Sequence, residues 1–184
     1  MRVPTSTYRL QITAEQTLHD AAARLEALHD LGVDWVYLSP ILAAEPGSSH
    51  GYDVVAHDRV DPSRGGAEGL AALSAEARRL GMGVLVDIVP NHVGVATPQE
   101  NAWWWDVLRL GRDSAHADAF DVDWSQHDGR ILLPIVGDDD LGPDGRIANL
   151  TVEGDVLRYW DTALPIAPGT ASDGDDANAV LARQ

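Results

Sequence analysis

Three polar side chains close an otherwise apolar run, Gly83-Val84-Leu85-Val86-Asp87-Ile88-Val89-Pro90-Asn91-His92. The run has the β-branched content of a short strand buried on both faces, and Pro90 ends it where Asn91 and His92 begin. An aspartate inside such a run is costly to bury unless it is paired. Asp87, Asn91 and His92 therefore have the chemistry of an active-site edge, able to accept and donate hydrogen bonds to a polar ligand. The competing reading is that Asp87 only ties down the next loop and His92 is an ordinary loop histidine. A second stretch, Glu45-Pro46-Gly47-Ser48-Ser49-His50-Gly51-Tyr52-Asp53, is polar and glycine-rich but carries an imidazole and a phenol ring. That composition suits a functional loop more than a spacer.

The elements that must position these groups follow a rhythm. Ser6 to Ile12 alternates as a strand, Thr17 offers an N-cap, and Leu18, Ala22, Leu25 and Leu28 recur on one helical face that Gly32 ends. Val33 to Leu38 is a second strand, stopped by Ser39-Pro40; Leu70, Leu73, Ala77 and Leu80 mark a helix closing at Gly81 before the run that holds Asp87. Leu31-Gly32 to Pro40 and Leu80-Gly81 to Pro90 thus echo each other as a β/α repeat. Such repeats build a doubly wound sheet or an eight-fold barrel, and both present ligands to the C-terminal ends of strands. No Gly-x-Gly-x-x-Gly or Walker sequence opens a helix, which favours the barrel.

After His92 the rhythm stops. Asn101 to Arg109 reads as a short helix, and pieces such as Ile131 to Val136, broken by Asp128-Gly129, Gly142-Pro143 and Asp144-Gly145, read as turn-rich β structure. A boundary near Val93 separates residues 1–92, the β/α units, from residues 93–184, a β-rich insertion. From Ala167 the insertion ends in a small, polar, acidic tail expected to be disordered or a linker.

Thirteen Lys and Arg against 29 Asp and Glu give a net charge of −16, which repels phosphate backbones and anionic headgroups. Neither nucleic acid nor a membrane surface is an expected partner; a neutral ligand fits. With no cysteine there is no disulfide, thiolate metal site or thiol nucleophile. The first residues lead into no apolar signal region, so the chain is expected in the cytoplasm.

Asp87-Ile88-Val89-Pro90-Asn91-His92 resembles the first conserved region of the α-amylase family, at the end of its third barrel strand. His50-Gly51-Tyr52-Asp53 resembles that family's substrate-binding loop after the second strand. Ser6-Thr7-Tyr8-Arg9-Leu10-Gln11, Tyr37-Leu38-Ser39-Pro40-Ile41-Leu42, Asn101-Ala102-Trp103-Trp104-Trp105-Asp106-Val107-Leu108 and Leu133-Pro134-Ile135-Val136-Gly137 resemble, in order, one branch of it. That branch rearranges the reducing-end α-1,4 bond of a maltooligosaccharide into an α,α-1,1 bond. The resemblance implies an α/β fold, the N-terminal part of a (β/α)8 TIM barrel with a β-rich insertion domain after the third strand. It implies a maltooligosaccharide substrate, isomerase chemistry of trehalose biosynthesis, and a trehalohydrolase as functional partner.

On this resemblance Tyr52 stacks under the sugar beside the scissile bond, since a pyranose offers an apolar C–H face. His50 and His92 donate to sugar hydroxyls around the same subsite, and Asp87 fixes the loop without being the nucleophile. Asn91 is a calcium ligand in many α-amylases, but no metal or cofactor is implied here, and Asp138-Asp139-Asp140 reads as a solvated acidic turn. Trp103-Trp104-Trp105 could be a sugar platform; core packing is favoured, because consecutive helical residues cannot face one ligand. The family's nucleophile, general acid and third carboxylate lie on later strands, and nothing in this sequence matches their motifs, so no catalytic residue is assigned. The chain reads as an N-terminal piece, with an α-1,4-glucan hydrolase of the same family, or a non-catalytic glucan-binding piece, as the alternatives. Retaining chemistry needs two carboxyls about 5 to 5.5 Å apart. The purified 184-residue chain should therefore form no product from maltopentaose, and sustained turnover free of host glucosidases would refute this.

Overall fold

A computed structural model describes residues 2–172 and 174–184. Two compact units divide the chain, Met1–Val95 and Ala96–Gln184.

The first unit is built on three parallel strands, β1 (Thr7–Leu10), β2 (Trp35–Leu38) and β5 (Gly83–Val86), in the order β1-β2-β5. The register sets Tyr8, Val36 and Val84 side by side, and likewise Leu10, Leu38 and Val86. On that face Val36 and Leu38 are fully buried against Leu18, Leu25, Leu28, Leu73 and Ala77 of the helices α1 (Leu18–Ala22), α2 (Leu25–Asp30) and α3 (Gly66–Arg79). Helix α1 starts with a reciprocal cap: the Thr17 N–H donates to Asp20 Oδ2 at 2.8 Å and the Asp20 N–H donates back to Thr17 Oγ1 at 3.4 Å. It approaches α3 closely at Gly69, where a Cβ would lie 2.9 Å from Leu18 Cβ.

Three sequence expectations change in this unit. The helix read from Thr17 to Gly32 is two helices, because a tighter bond from the Arg24 N–H to Ala21 O interrupts the ladder while Leu25 keeps the apolar face inward. The polar loop after β2 is flanked by an antiparallel pair, β3 (Leu42–Ala44) with β4 (Val54–Val60), which the β/α rhythm concealed. The run ending at Pro90 pairs only to Val86, and it is not buried on both faces. Leu85, Val86 and Ile88 are exposed, because β5 is an edge of the sheet.

The second unit holds α4 (Ala102–Leu110), the antiparallel meander β6 (Leu150–Glu153), β7 (Val156–Tyr159) and β8 (Thr162–Pro165), and α5 (Ala177–Leu181). Ile131 to Val136 forms turns instead of a strand. Along α4 the tryptophans separate: Trp104 is buried and packs on Phe120 at 5.0 Å, while half-exposed Trp103 lies parallel to His116 at 4.9 Å. Asp140 is more than a solvated turn residue. It accepts from the Tyr159 hydroxyl at 2.6 Å, Trp160 Nε1 at 2.8 Å and Asn149 Nδ2 at 2.8 Å, and these bonds, Tyr159's first, hold its carboxyl below the usual range.

The tail expected to be disordered is structured where it is described. Asp176 caps α5 by accepting from the Ala179 N–H at 3.1 Å, and Val180 is fully buried with Leu157 and Ile166. Ala171, Ala177 and Leu181 pack on the same cluster, and these apolar contacts outweigh the polar composition; Asp173 lies outside the described residues. Among the described residues no helix is long and apolar enough to cross a membrane.

The packing of α3 on the sheet can be tested at Leu73, which is fully buried. Leu73→Ala should lower the unfolding free energy by about 2 to 5 kcal/mol in a urea titration, the range for a core leucine. A loss under about 1 kcal/mol would mean that α3 does not pack as described.

Candidate functional site

Side chains alternate across a strand, so the face opposite the core carries Arg9 of β1, Tyr37 of β2 and Leu85 of β5 in one row. Gln11 and Asp87 come two residues further on, beyond the C-terminal ends of β1 and β5. The Asp87 N–H donates to Leu38 O at 2.9 Å, which holds its backbone beside β2. The result is a polar group at the end of a parallel sheet where ligands of α/β proteins bind.

Tyr52 joins this group from the loop between β3 and β4. Its hydroxyl donates to Asp87 Oδ2 at 2.6 Å, and the Tyr37 hydroxyl donates to the same oxygen at 2.9 Å. Arg9 Nη2 donates to the Tyr52 hydroxyl at 3.1 Å, Arg9 Nη1 donates to Gln11 Oε1 at 2.7 Å, and the guanidinium carbon lies 5.6 Å from the centre of the Tyr37 ring. Asp87 is half-buried, and Tyr52 as a residue is 38% exposed, with the His50 ring beside its own at 6.1 Å between centroids and 26° between planes.

The loop that presents Tyr52 is fixed by local chemistry. The Gly51 N–H donates to Ser48 Oγ at 3.0 Å, and the Ser48 hydroxyl donates to Asp53 Oδ1. Gly51 has φ +78° and would place a Cβ 2.7 Å from Pro40 O, so only glycine fits this turn without displacing the backbone. Beneath it lies Arg64, 1% exposed, which donates to Ile12 O and, at 2.7 Å, to Ser48 O, with its Nε 3.6 Å from Asp61 Oδ2.

Both histidines hold the Tyr52 backbone. The Tyr52 N–H donates to His50 Nδ1 at 3.0 Å, so His50 carries a hydrogen on Nε2 that remains for a ligand. His92 Nε2 lies 2.9 Å from Tyr52 O; a carbonyl can only accept, so His92 donates there. Asn91 is exposed and is not drawn into this hydrogen-bonded group. The structure thus gathers His50, Tyr52, Asp87 and His92 and leaves Asn91 beside them.

Sequence reasoning missed Arg9, Gln11 and Tyr37 as members of the site. Their signal was the period of two: once β1, β2 and β5 are aligned, the polar positions opposite the core fall into one row. Arg64 gave no signal, because an arginine is rarely this deeply buried.

Electrostatically the group couples one cation to one anion through two phenols. The hydrogen bond to Asp87 raises the Tyr37 phenol above its ordinary value, and burial adds to this. Burial opposes the charge of Arg9, yet the Tyr52 and Tyr37 phenols bring its net shift upward. Asp87 is the carboxylate that the two phenols engage, while Asp53 lies 3.8 Å from His50 Nδ1 in the loop. This geometry suits holding and orienting a hydroxyl-rich ligand, with an aromatic face and several donors and acceptors, more than breaking its bonds. Among the described residues no group of three His, Asp or Glu could hold a metal ion.

Residues 14–134 match the family described as alpha amylase, catalytic domain. A putative maltooligosyl trehalose synthase of Mycobacterium tuberculosis is 55% identical over 170 residues, 90% of this chain and 22% of that protein. The maltooligosyltrehalose synthase structure from Arthrobacter ramosus superposes with a TM-score of 0.92 at 58% identity, covering 98% of this chain and 23% of that one. An intracellular maltogenic amylase of Bacillus subtilis is 37% identical over 99 residues, 54% of this chain and 16% of that protein. The chain thus spans between a sixth and a quarter of the length of these relatives.

The Tyr37–Asp87 bond makes a pH prediction. The folded phenol holds its proton more tightly than the unfolded one, so its contribution to stability is present below the ordinary phenol value of 10.0 and is lost as pH rises through the higher folded value. In a phenolate absorbance titration, Tyr37→Phe should remove a component ionising above the usual range, and Asp87→Asn should bring that component down. Ionisation of all four tyrosines in one ordinary step, in the folded wild-type chain, would contradict this.

Proposed function

The chain belongs to the α-amylase catalytic-domain family, and from that premise we propose that it forms the sugar-holding part of a maltooligosyltrehalose synthase. The observation that carries this reading is the Tyr52 ring, partly exposed and held at its hydroxyl by Asp87 and Arg9 and at its backbone by His50 and His92. Such a ring suits the C–H face of a glucose unit. The similarity to maltooligosyltrehalose synthases across 90% or more of the chain supports this branch of the family.

The substrate is a maltooligosaccharide. Tyr52 stacks under the sugar next to the bond that breaks, while His50 Nε2–H, His92, Asp87 and Asn91 address the hydroxyls around it. The reaction is an isomerisation: the reducing-end α-1,4 bond opens, the released glucose turns in place, and an α,α-1,1 bond forms to the same glycosyl unit. The freed glucose must stay bound while it turns, so its holding contacts matter as much as bond cleavage. The retaining pair of carboxyls comes, on this reading, from strands of the assembled enzyme other than β1, β2 and β5. The setting is the cytoplasm, and a trehalohydrolase consumes the product as functional partner.

Hydrolysis of α-1,4 glucans is the second reading, favoured by the likeness to a maltogenic amylase over just over half of the chain. Chromatography of the products made by the full-length protein that carries this chain separates the two. A synthase yields mainly a non-reducing oligosaccharide, a hydrolase mainly reducing sugars. In the same assay Tyr52→Ala should lower kcat/KM by about a hundred-fold, as expected for loss of a buried aromatic contact to ligand. Unchanged kcat/KM would remove Tyr52 from the subsite.

A further inference from the structure

We propose that Arg9 is a positioning residue for sugar binding, acting through the phenol of Tyr52; the proposal rests on the reading of Tyr52 given above. The phenol oxygen has one hydrogen and two lone pairs. Its hydrogen goes to Asp87 Oδ2 at 2.6 Å, and a lone pair accepts from Arg9 Nη2 at 3.1 Å. Arg9 is held in turn by Gln11 Oε1 at 2.7 Å and by the face of the Tyr37 ring, whose own hydroxyl donates to the same Asp87 oxygen. Arg9, Tyr52, Asp87 and Tyr37 thus close a circuit of contacts in which no member reorients without breaking a bond of another.

The circuit has a mechanical purpose. The backbone of Tyr52 is fixed by His50 and His92, and the His50 ring lies beside its own with centroids 6.1 Å apart, but the phenol end can still swing about the side-chain bonds. Asp87 alone restrains the phenol by one bond. Arg9 supplies the second, from the cation side, and so fixes where the phenol end of the ring stands beneath a sugar. Because Arg9 is exposed, its removal leaves no cavity and strands no buried charge; the fold should persist while the ring loses its fixed pose.

A double-mutant cycle in the full-length protein that carries this chain, with maltopentaose as substrate, tests this. Tyr52→Phe keeps the ring and deletes the phenol that Arg9 grips. Arg9→Ala and Tyr52→Phe should each raise KM by about ten-fold, the scale of one charge-assisted hydrogen bond, with kcat within about two-fold. The double variant should be no worse than either single, and Arg9→Lys should recover part of the loss. A variant that merely misfolds lowers the active fraction and so the apparent kcat at an unchanged KM; that pattern for Arg9→Ala overturns the proposal. Effects that multiply in the double variant overturn it too, since Arg9 would then touch the sugar by itself. Silence of Arg9→Ala beside a damaged Tyr52→Ala overturns the role of Arg9 alone, whereas silence of both also removes the reading of Tyr52.

Discussion

A buried cation organises the first unit. Arg64 is 1% exposed and bridges the carbonyl of Ile12, just after β1, to the carbonyl of Ser48 in the loop that presents Tyr52, while Asp61 sits beside its Nε. Three segments distant in sequence are thereby tied to one planar group. A guanidinium removed from water must have its charge met, and breaking such an arrangement at one partner is far more disruptive than its net contribution suggests. The loop is therefore attached to the sheet at its base, and local details such as the turn at Gly51 work from a fixed foundation.

On that foundation the site solves a problem of aim. Tyr52 arrives on a loop, and loops are poor at holding a ring at a defined angle. The structure fixes it at both ends: the two histidines clamp the peptide on either side of its Cα, and the phenol meets Arg9 of β1 and Asp87 just beyond β5. Asp87 resolves the tension seen in the sequence, where a carboxylate interrupted an apolar run. It is placed beyond the last paired residue of β5 and is satisfied by two hydroxyls, one of which, that of Tyr52, ties the following loop to the sheet.

The parallel sheet and its helices were legible because their cause is periodic. Val36 and Leu38, Leu18 and Leu25, and Leu73 and Ala77 fall on the core face that their spacing indicates. Less legible was anything set by contacts between distant residues. The β3–β4 pair has weak alternation and a bulged register, so it reads as loop, and the exposure of β5 depends on its being an edge, a fact of topology and not of composition. In the second unit Val180, with Ala177 and Leu181, anchors α5 within a polar segment, and Asp140 gathers Asn149, Tyr159 and Trp160 in a way that a run of three aspartates does not announce. His50, Tyr52, Asp87 and His92 stood out as chemically unusual for their surroundings. Arg9 and Tyr37 did not, since each is ordinary within its own strand and significant only across strands.

Parallel pairing also has a kinetic consequence. Tyr37 and Asp87 are 50 residues apart and Arg9 and Tyr52 are 43 apart, so the contacts that define the site form only after long stretches of chain have been gathered. Loop closure must precede any reward from such contacts, which makes parallel sheets slow to assemble compared with helices or hairpins. Until β2 has met both neighbours the strands are unpaired. The site, which needs β1, β2, β5 and the Tyr52 loop together, is thus among the last parts of this unit to form.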